Sequence, residues 1–264
     1  MSAPPAPLAF WCRTPSRPNF GDALTPWLIH RLSGSHPRFV PPSHGQDKFF
    51  VTGSIVSLAR ANCIVWGCGI MNADDRISTE ARLLAVRGPL TRRRALACGA
   101  DCPEVYGDPA LLLPRLFAPP RAVRRSPSLA PHFSDVARLD AAGLATSGLR
   151  VIDLQSPIET VITKICQSEW LVSSSLHGLI VSHAYSIPAV WIKFRDLPSG
   201  DGSKFRDYYA SLGIDGIEPI AVNGATELGA LERHAWCPQL IDTDRLWRAC
   251  PFANSAVRSE TIVQ

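Results

Sequence analysis

The chain has 264 residues, of which 46% are hydrophobic and 19% charged, and its formal net charge is +4. This composition excludes a disordered chain and provides enough apolar residues for a large folded core. The small positive charge suits an anionic small molecule. It is not the dense basic stripe of a nucleic-acid-binding protein, so we expect no nucleic acid partner.

The cysteines and the apolar segments bear on metals and membranes. None of the eight cysteines forms a CxxC pair, so we expect reduced, structural thiols and no metal site. Residues 1–10 carry no basic region followed by an apolar run, and no apolar stretch is long enough to span a bilayer. We therefore expect a cytoplasmic protein.

The first part of the chain alternates short apolar runs with helical patterns. One helix is predicted to be capped by Asp22 and to end at Gly34, and a second covers residues 89–97. Strands are predicted at residues 49–51, 63–66, 83–86 and 104–106, each followed by a turn that contains glycine. This order predicts a parallel sheet with helices on both faces.

A proline-rich and basic segment, residues 117–128, interrupts this alternation and is typical of a linker. Beyond it, a capping box at Ser156 and Glu159 predicts a helix start. A further helix is predicted at residues 176–185, and strands at 128–131, 151–154, 170–172 and 189–192. We therefore predict two α/β domains, residues 1–120 and 121–264, with a loosely docked end from residue 254.

Polar turns after the predicted strands are the first candidates for a site, because ligands of open parallel sheets bind beyond the carboxyl ends of the strands. Four such turns lie at residues 19–22, 87–91, 107–109 and 173–178. Arg87 stands between a strand and a helix start. Its planar fork and the unpaired backbone N–H groups there suit a phosphate or carboxylate. The alternative is that Arg87 pairs with a structural acid across the domain.

The turn at residues 173–178 is the most informative of the four. Ser173, Ser174 and Ser175 end an apolar strand just before a helix, where hydroxyl and N–H groups can hold an anion. His177 lies in the first turn of that helix. A nearby anion would favour its charged form and make it a proton donor. The alternative is a serine-rich N-cap with a histidine buried in the core.

The remaining candidates are single residues. Asp22 and Asp108 each follow a glycine, where capping is the commoner role, but Asp22 is favoured as functional because the preceding turn from Asn19 is flexible. His132 ends the strand after the linker and is expected to face a cleft between the domains, unless it is a surface histidine. Lys204 follows a glycine-rich loop that could close over a ligand. The spacings of a Walker A loop, a GxGxxG turn and a GxSxG elbow are absent.

Together these segments resemble the polysaccharide pyruvyltransferase family. The resembling pieces are NFGD at 19–22, TGSI at 52–55, VWGCGI at 65–70, AVRGPLTR at 85–92, PEVYGDPALLLP at 103–114, APHF at 130–133, VSSSLHGLIVSHAYSIPAVW at 172–191 and KFRDYY at 204–209. No single motif is decisive, but the ordered set is specific. It is most similar to the shorter members that add pyruvate ketals to xanthan- and succinoglycan-type polymers.

The resemblance implies a fold like that of the GT-B glycosyltransferases, with two Rossmann-like domains facing a cleft. It implies phosphoenolpyruvate as the donor substrate, no separate cofactor, and a lipid-linked oligosaccharide as the acceptor. Phosphate would leave and a cyclic pyruvate ketal would form. A membrane-bound acceptor suggests peripheral contact with the cytoplasmic face of the inner membrane, for which Arg121, Arg124 and Arg125 are candidates.

The resemblance also implies roles for the candidate residues. His177 matches the family's histidine and is expected to bind the donor and to protonate its enol carbon, with Asp22 as the candidate base. Many members carry arginine two positions before this histidine, where this chain has Ser175. The donor anion is therefore expected to be held by Arg87, Lys204 and the serine hydroxyls. Asn19 and His132 complete the expected binding set.

Two other functions stay open at this point. A GT-B glycosyltransferase that uses a nucleotide-sugar would have the same fold but would need a late carboxylate to hold the ribose. Glu227 and Glu232 lie outside any clear turn after a strand. A non-catalytic carbohydrate-binding relative is suggested only by Ser175, whereas Arg87, Asp22 and His177 argue against it.

Overall fold

The computed structural model describes residues 5–13, 18–120, 126–139, 148–195 and 200–252. Its strands are β1 Leu8–Phe10, β2 Arg38–Phe39, β3 Lys48–Phe50, β4 Cys63–Trp66, β5 Arg82–Ala85, β6 Ser126–Ala130, β7 Arg150–Val151, β8 Ser168–Ser173, β9 Ala189–Lys193 and β10 Ile220–Ala221. Its helices are α1 Phe20–Ser33, α2 Pro89–Ala97, α3 Leu113–Leu116, α4 Ile158–Cys166, α5 Leu176–Ala184, α6 Ser203–Ser211, α7 Leu228–Glu232 and α8 Asp244–Arg248. Short 3-10 helices cover Val56–Leu58, Pro109–Leu112 and Phe133–Arg138.

The described strands form two five-stranded sheets, in the orders β2-β1-β3-β4-β5 and β10-β9-β8-β6-β7. Neighbouring strands run parallel throughout both sheets. If the strands of each sheet are numbered 1 to 5 along the chain, and the second sheet is read from β7 to β10, both sheets have the order 2-1-3-4-5. This confirms the α/β class and is consistent with two Rossmann-like domains. The boundary at residue 120 and the GT-B-like arrangement stay predictions.

The start of α1 differs from the sequence prediction. Asn19 occupies the N-cap position, and Asp22 lies inside the first turn of the helix. Asp22 is therefore not the cap, because a cap residue has a non-helical backbone. The helix ends as predicted at Gly34, which adopts the left-handed conformation with φ 74°. Asp22 thus keeps its carboxylate available for contacts outside its own helix.

The predicted capping box is wrong. Helix α4 begins behind Pro157, which takes the N-cap position, so Ser156 lies one residue too early to cap it. Glu159 does not reach back to the helix start but forms an ion pair with Arg31 of α1. The helix therefore starts without the side-chain cap that the sequence suggested.

Two predicted strands are shorter in the structure. The strand expected at residues 104–106 is reduced to one bridge, between Tyr106 and Val86. The chain turns away directly afterwards at Gly107, whose φ is 133°. The strand expected at residues 151–154 is limited to β7, because a turn follows at residues 154–155.

The largest buried apolar cluster draws on both sheets. Leu24 and Leu28 of α1, Leu179 of α5 and Leu246 of α8 all belong to it. Helix α8 follows the second sheet in the chain but packs against the first. There the indole Nε1 of Trp66 donates to the carbonyl oxygen of Leu246 over 2.9 Å. The two halves therefore share this largest cluster, while two smaller clusters lie one within each half.

Some predictions fall on parts of the chain that are not described. These include the centre of the proposed linker, with Arg121, Arg124 and Arg125, and the end of the chain from residue 254. Among the helices of the described ranges, none has both the length and the apolar character needed to cross a membrane.

Candidate functional site

The strand order places a crevice in each sheet. Strand β1 lies between β2 and β3, and β6 lies between β7 and β8. In each sheet the next strand in the chain is therefore added on one side of the first strand, and the strand after that on its other side. Such a switch point opens a crevice beyond the carboxyl ends of the strands. A cavity of about 170 Å³ is lined by the turns of both switch points. Its lining residues are Cys12, Asn19, Asp22, Gly53, Ser54, Ile55, Met71, His132, Phe133, Ser175, Leu176, His177 and Lys204.

Asp22 is the carboxylate of this cavity. Burial raises its pKa to about 6, although His177, a hydrogen bond from Asn19 and Lys204 each favour the charged form. A carboxylate with such a pKa is charged at neutral pH but can take up a proton readily. Asn19 lies beside it at the N-cap of α1, and its Oδ1 is buried without a hydrogen-bond partner. Both predicted residues thus line the cavity.

His177 is held between the two halves of the chain. Its ring lies against the backbone of Gly21, where a Cβ atom would overlap the ring. On its other side, Nε2 lies 3.4 Å from Oδ2 of Asp108. Asp108 is fully buried, and its Oδ1 accepts a hydrogen bond from the Ala110 backbone N–H over 2.9 Å. The histidine therefore has a fixed orientation and a carboxylate partner.

Lys204 supplies a positive charge near the start of α6. Burial lowers its pKa to about 8, with Arg87 acting in the same direction, while Asp22 and Asp135 favour the charged form. At neutral pH the ammonium group is still mostly protonated. The lysine can therefore attract an anion into the cavity.

His132 enters the cavity from the end of β6. Its backbone N–H donates to Ser174 Oγ over 3.0 Å, and its Nδ1 lies 2.8 Å from Ser134 Oγ. Burial lowers the pKa of His132 to about 4, and Lys204 adds to this effect. The ring is consequently neutral at physiological pH and can hydrogen-bond a ligand without adding charge.

The three serines after β8 have different surroundings. Ser173 Oγ donates to the Ala130 carbonyl oxygen over 2.7 Å, and Ser174 Oγ donates to Asp135 Oδ2 over 2.8 Å. Both hydroxyls are occupied by the protein, and neither residue lines the cavity. Ser175 does line it, at the N-cap of α5.

Arg87 is buried in a network of polar contacts that joins the two halves of the chain, and it does not line the cavity. Its Nη2 lies 3.0 Å from Asp207 Oδ2, and neither side chain is exposed. Its Nη1 donates to Ser54 Oγ over 2.9 Å. Asp207 also accepts from the backbone N–H and the hydroxyl of Thr91, over 2.9 Å and 2.6 Å. The pairing of Arg87 with an acid, left open by the sequence, is the arrangement in the structure.

Two carboxylates have contacts that the sequence does not suggest. Asp108 caps the 3-10 helix Pro109–Leu112, as a local pattern indicates, but it also faces His177. Asp207 lies in the KFRDYY segment and pairs with Arg87. The only local signal for Asp108 is its place in a turn after a strand-like run.

Other sequence hypotheses can be located relative to the cavity. Glu227 precedes α7 and Glu232 ends it, and neither lines the cavity. Within the described residues, no group of three or more histidine, cysteine, aspartate or glutamate side chains is arranged to hold a metal ion.

The fold and the cavity together define an α/β protein with two parallel sheets and a cavity lined by charged and polar side chains. Residues 6–194 match the family described as polysaccharide pyruvyl transferase, and the chain belongs to this family. This confirms the family predicted from the ordered sequence motifs.

Two curated relatives are similar over much of the chain. An uncharacterized protein of Acanthamoeba polyphaga mimivirus is 30% identical over 176 residues, which are 63% of this chain and 61% of that protein. The succinoglycan biosynthesis protein ExoV of Rhizobium meliloti (strain 1021) is 29% identical over 208 residues, 74% of this chain and 62% of that protein. The chain thus spans about three fifths of the length of these relatives. No solved structure matches it significantly.

Proposed function

We propose that this protein transfers a pyruvyl group from phosphoenolpyruvate to a sugar of an exopolysaccharide repeat unit, forming a pyruvate ketal. Family membership supports pyruvyl transfer, and the relative named for succinoglycan biosynthesis supports an exopolysaccharide acceptor. The observation that carries the proposal is one cavity that combines the Lys204 ammonium, the His177 imidazole and the Asp22 carboxylate.

The donor is an anion, and the cavity has the groups to hold one. Lys204 attracts the phosphate or carboxylate of phosphoenolpyruvate. Ser175 and the first N–H groups of α5 lie at a helix N-terminus, which favours negative charge. Arg87 contributes through Ser54, which it hydrogen-bonds and which lines the cavity. Together these groups replace the arginine expected at the position of Ser175.

The chemistry forms two C–O bonds and breaks one. His177 gives a proton to C3 of the enol, so that the double-bond electrons form the new C–H bond and C2 becomes electrophilic. A sugar hydroxyl oxygen attacks C2, and Asp22 takes its proton. The C2–O bond to phosphate then breaks with the electron pair leaving on phosphate. A second hydroxyl of the same sugar attacks C2, and its proton leaves with the phosphate or the solvent.

The proposed acceptor is a lipid-linked oligosaccharide, reached at the cytoplasmic face of the inner membrane. The reaction uses phosphoenolpyruvate as a substrate and requires no separate cofactor. We propose that His132, which is neutral and contacts Ser134 and Ser174, hydrogen-bonds a sugar hydroxyl or the donor carboxylate.

Ligand-dependent thermal unfolding tests the donor. We would compare phosphoenolpyruvate with a panel of nucleotide-sugars, using the wild type, His177→Ala and the exposed control His234→Ala. A ligand present at 100 times its Kd stabilises the folded state by about 2.7 kcal/mol. We expect stabilisation by phosphoenolpyruvate that persists in His234→Ala and is lost in His177→Ala. Stabilisation by a nucleotide-sugar alone would contradict the proposed donor.

A turnover assay tests the transfer itself. With an exopolysaccharide oligosaccharide as acceptor, we expect release of inorganic phosphate and the appearance of a ketal methyl signal in proton NMR spectra. Phosphate release without a ketal methyl signal would indicate hydrolysis of the donor and would contradict transfer.

A further inference from the structure

We infer that Asp108 is a positioning residue for His177 and that the imidazole therefore works through Nδ1. The chemical role of Nδ1 rests on the proposed function. The orientation of the ring rests on the contacts alone. Asp108 belongs to the chain segment after α2 and His177 to α5, so the pair forms only when the two halves of the chain pack together.

The first support is that two buried polar atoms face each other. Nε2 of His177 and Oδ2 of Asp108 lie 3.4 Å apart without meeting hydrogen-bond geometry, and neither atom has a hydrogen-bond partner among the described residues. Buried polar groups without partners are costly, so each atom stabilises the other when Nε2 carries a proton. The other carboxylate oxygen is fixed by the Ala110 N–H, so the carboxylate cannot easily turn away.

The second support is the position of the other ring nitrogen. The edge of the ring that includes Nδ1 and Cε1 lies over Gly21, where a Cβ atom would overlap it. His177 lines the cavity together with Asp22, with which it interacts electrostatically, and Nε2 is the ring nitrogen that is buried without a partner. Because Nε2 is directed at Asp108, Nδ1 is the nitrogen left to face a ligand.

This arrangement fixes the tautomer of the histidine. With Nε2–H donating to Asp108, the charged ring presents Nδ1–H to the cavity and the neutral ring presents the Nδ1 lone pair. In the proposed reaction the Nδ1–H bond breaks as the C3–H bond of the donor forms, and the Nε2–H bond stays intact. The other titratable groups that interact with His177 are Asp22 from α1 and His132 after β6.

Wild-type NMR provides the first test. In protein labelled with ¹⁵N histidine, we expect the neutral ring of His177 to be protonated at Nε2 and unprotonated at Nδ1. A neutral ring protonated at Nδ1 would overturn the inference. This measurement needs neither substrate nor turnover, so its outcome is independent of whether phosphoenolpyruvate is the donor.

Asp108→Asn provides the second test. The Ala110 N–H selects the oxygen of the new amide, so the amide NH₂ group is turned toward His177 and Nε2 must accept a hydrogen bond. The neutral tautomer should therefore invert to Nδ1–H. We expect kcat to fall at least about 100-fold, as for other histidines held in the wrong tautomer, with less than about a threefold change in the Kd of phosphoenolpyruvate.

Asp135→Asn is the matched control. Asp135 is also buried, but it contacts Ser174 and Arg195 and makes no ion pair with His177. We expect this variant to keep the Nε2–H tautomer of His177. Inversion in both variants, or retention of the wild-type tautomer in Asp108→Asn, would overturn the inference.

Discussion

At the residue scale, the buried carboxylate of Asp22 links activity to stability. Its pKa is raised to about 6, mainly by burial, so the folded state binds a proton more tightly than the unfolded state does. This destabilises the folded protein above pH 6, and the effect disappears as the pH falls through 6 toward 3.8. A shift of about two units corresponds to up to about 3 kcal/mol at pH 8.

We therefore expect Asp22→Asn to raise the free energy of unfolding at pH 8 while nearly abolishing turnover. Urea unfolding at pH 8 and pH 4, together with phosphate release, would check both parts. Most of the stabilisation should be lost at pH 4, which is close to the unfolded-state pKa of 3.8. A variant that is less stable than the wild type at pH 8, or fully active, would contradict this view of Asp22.

Also at the residue scale, Lys204 should make donor binding depend on pH. Its pKa is lowered to about 8, so the ammonium group loses its proton as the pH rises through 8. We expect the Kd of phosphoenolpyruvate to increase at least about tenfold between pH 7 and pH 9.5, an amount equivalent to about 1.4 kcal/mol. Titration calorimetry across this range would measure it.

Two variants separate Lys204 from general effects of pH. Lys204→Arg keeps its charge at pH 9.5 and should bind phosphoenolpyruvate with a much flatter pH dependence. Lys193→Gln removes a lysine that lines a different cavity and should leave the pH dependence unchanged. An equally steep dependence in Lys204→Arg would show that another group is responsible.

At the element scale, α6 carries two ion pairs that allow a direct comparison. Asp207 pairs with Arg87 in the buried region between α2 and α6, whereas Arg206 pairs with Glu218 at the surface. Removing one partner of a buried pair leaves an uncompensated charge and typically lowers the free energy of unfolding by about 3–5 kcal/mol. Exposed pairs contribute about 0–1 kcal/mol.

We expect Asp207→Asn to be strongly destabilised and Glu218→Gln to unfold almost as the wild type does. Chemical denaturation of both variants would measure the difference. Because Asp207 also anchors the helix that bears Lys204, Asp207→Asn should weaken phosphoenolpyruvate binding as well. Equal stability of the two variants would mean that the buried network does not hold α6 in place.

Element types are predictable from this sequence, while element ends are less so. Continuous apolar runs predict β4 and β9 almost to the residue, since strands covered on both faces need continuous apolar side chains. The start of α4 is mispredicted because Pro157 rather than Ser156 takes the N-cap position, and Glu159 pairs with Arg31 of another helix. A contact of that kind leaves no local pattern in the sequence.

Some of the residues that line the cavity are predictable from the order of the strands, and others are not. Parallel strands of one sheet bring their carboxyl ends to one edge, so the turns after β6 and β8 identify His132 and His177 as neighbours. The contacts of Asp108 with His177 and of Asp207 with Arg87 join distant parts of the chain. They depend on how the two sheets pack, which no motif in the sequence specifies.

At the scale of the whole molecule, the shared apolar core bears on how the protein unfolds. Trp66 of the first sheet is covered by α8, and Phe252 packs against both Trp66 and Phe49. The buried ion pair of Arg87 and the pair of Asp108 and His177 also join the two halves. A chain ending at residue 120 would lose all of these contacts and would expose part of its core to water.

We therefore expect a single cooperative unfolding transition for the full chain in differential scanning calorimetry, with equal calorimetric and van't Hoff enthalpies. The fragment 1–120 should lack the dispersed NMR spectrum of a folded domain. A weaker perturbation, Phe252→Ala, should lower the stability of the full chain by about 3–5 kcal/mol, the usual loss for a buried phenylalanine. Two resolved transitions, or a folded fragment, would instead establish the predicted division at residue 120 as a true domain boundary. The cavity would then form between independently stable units, so donor binding would be able to couple to their relative movement.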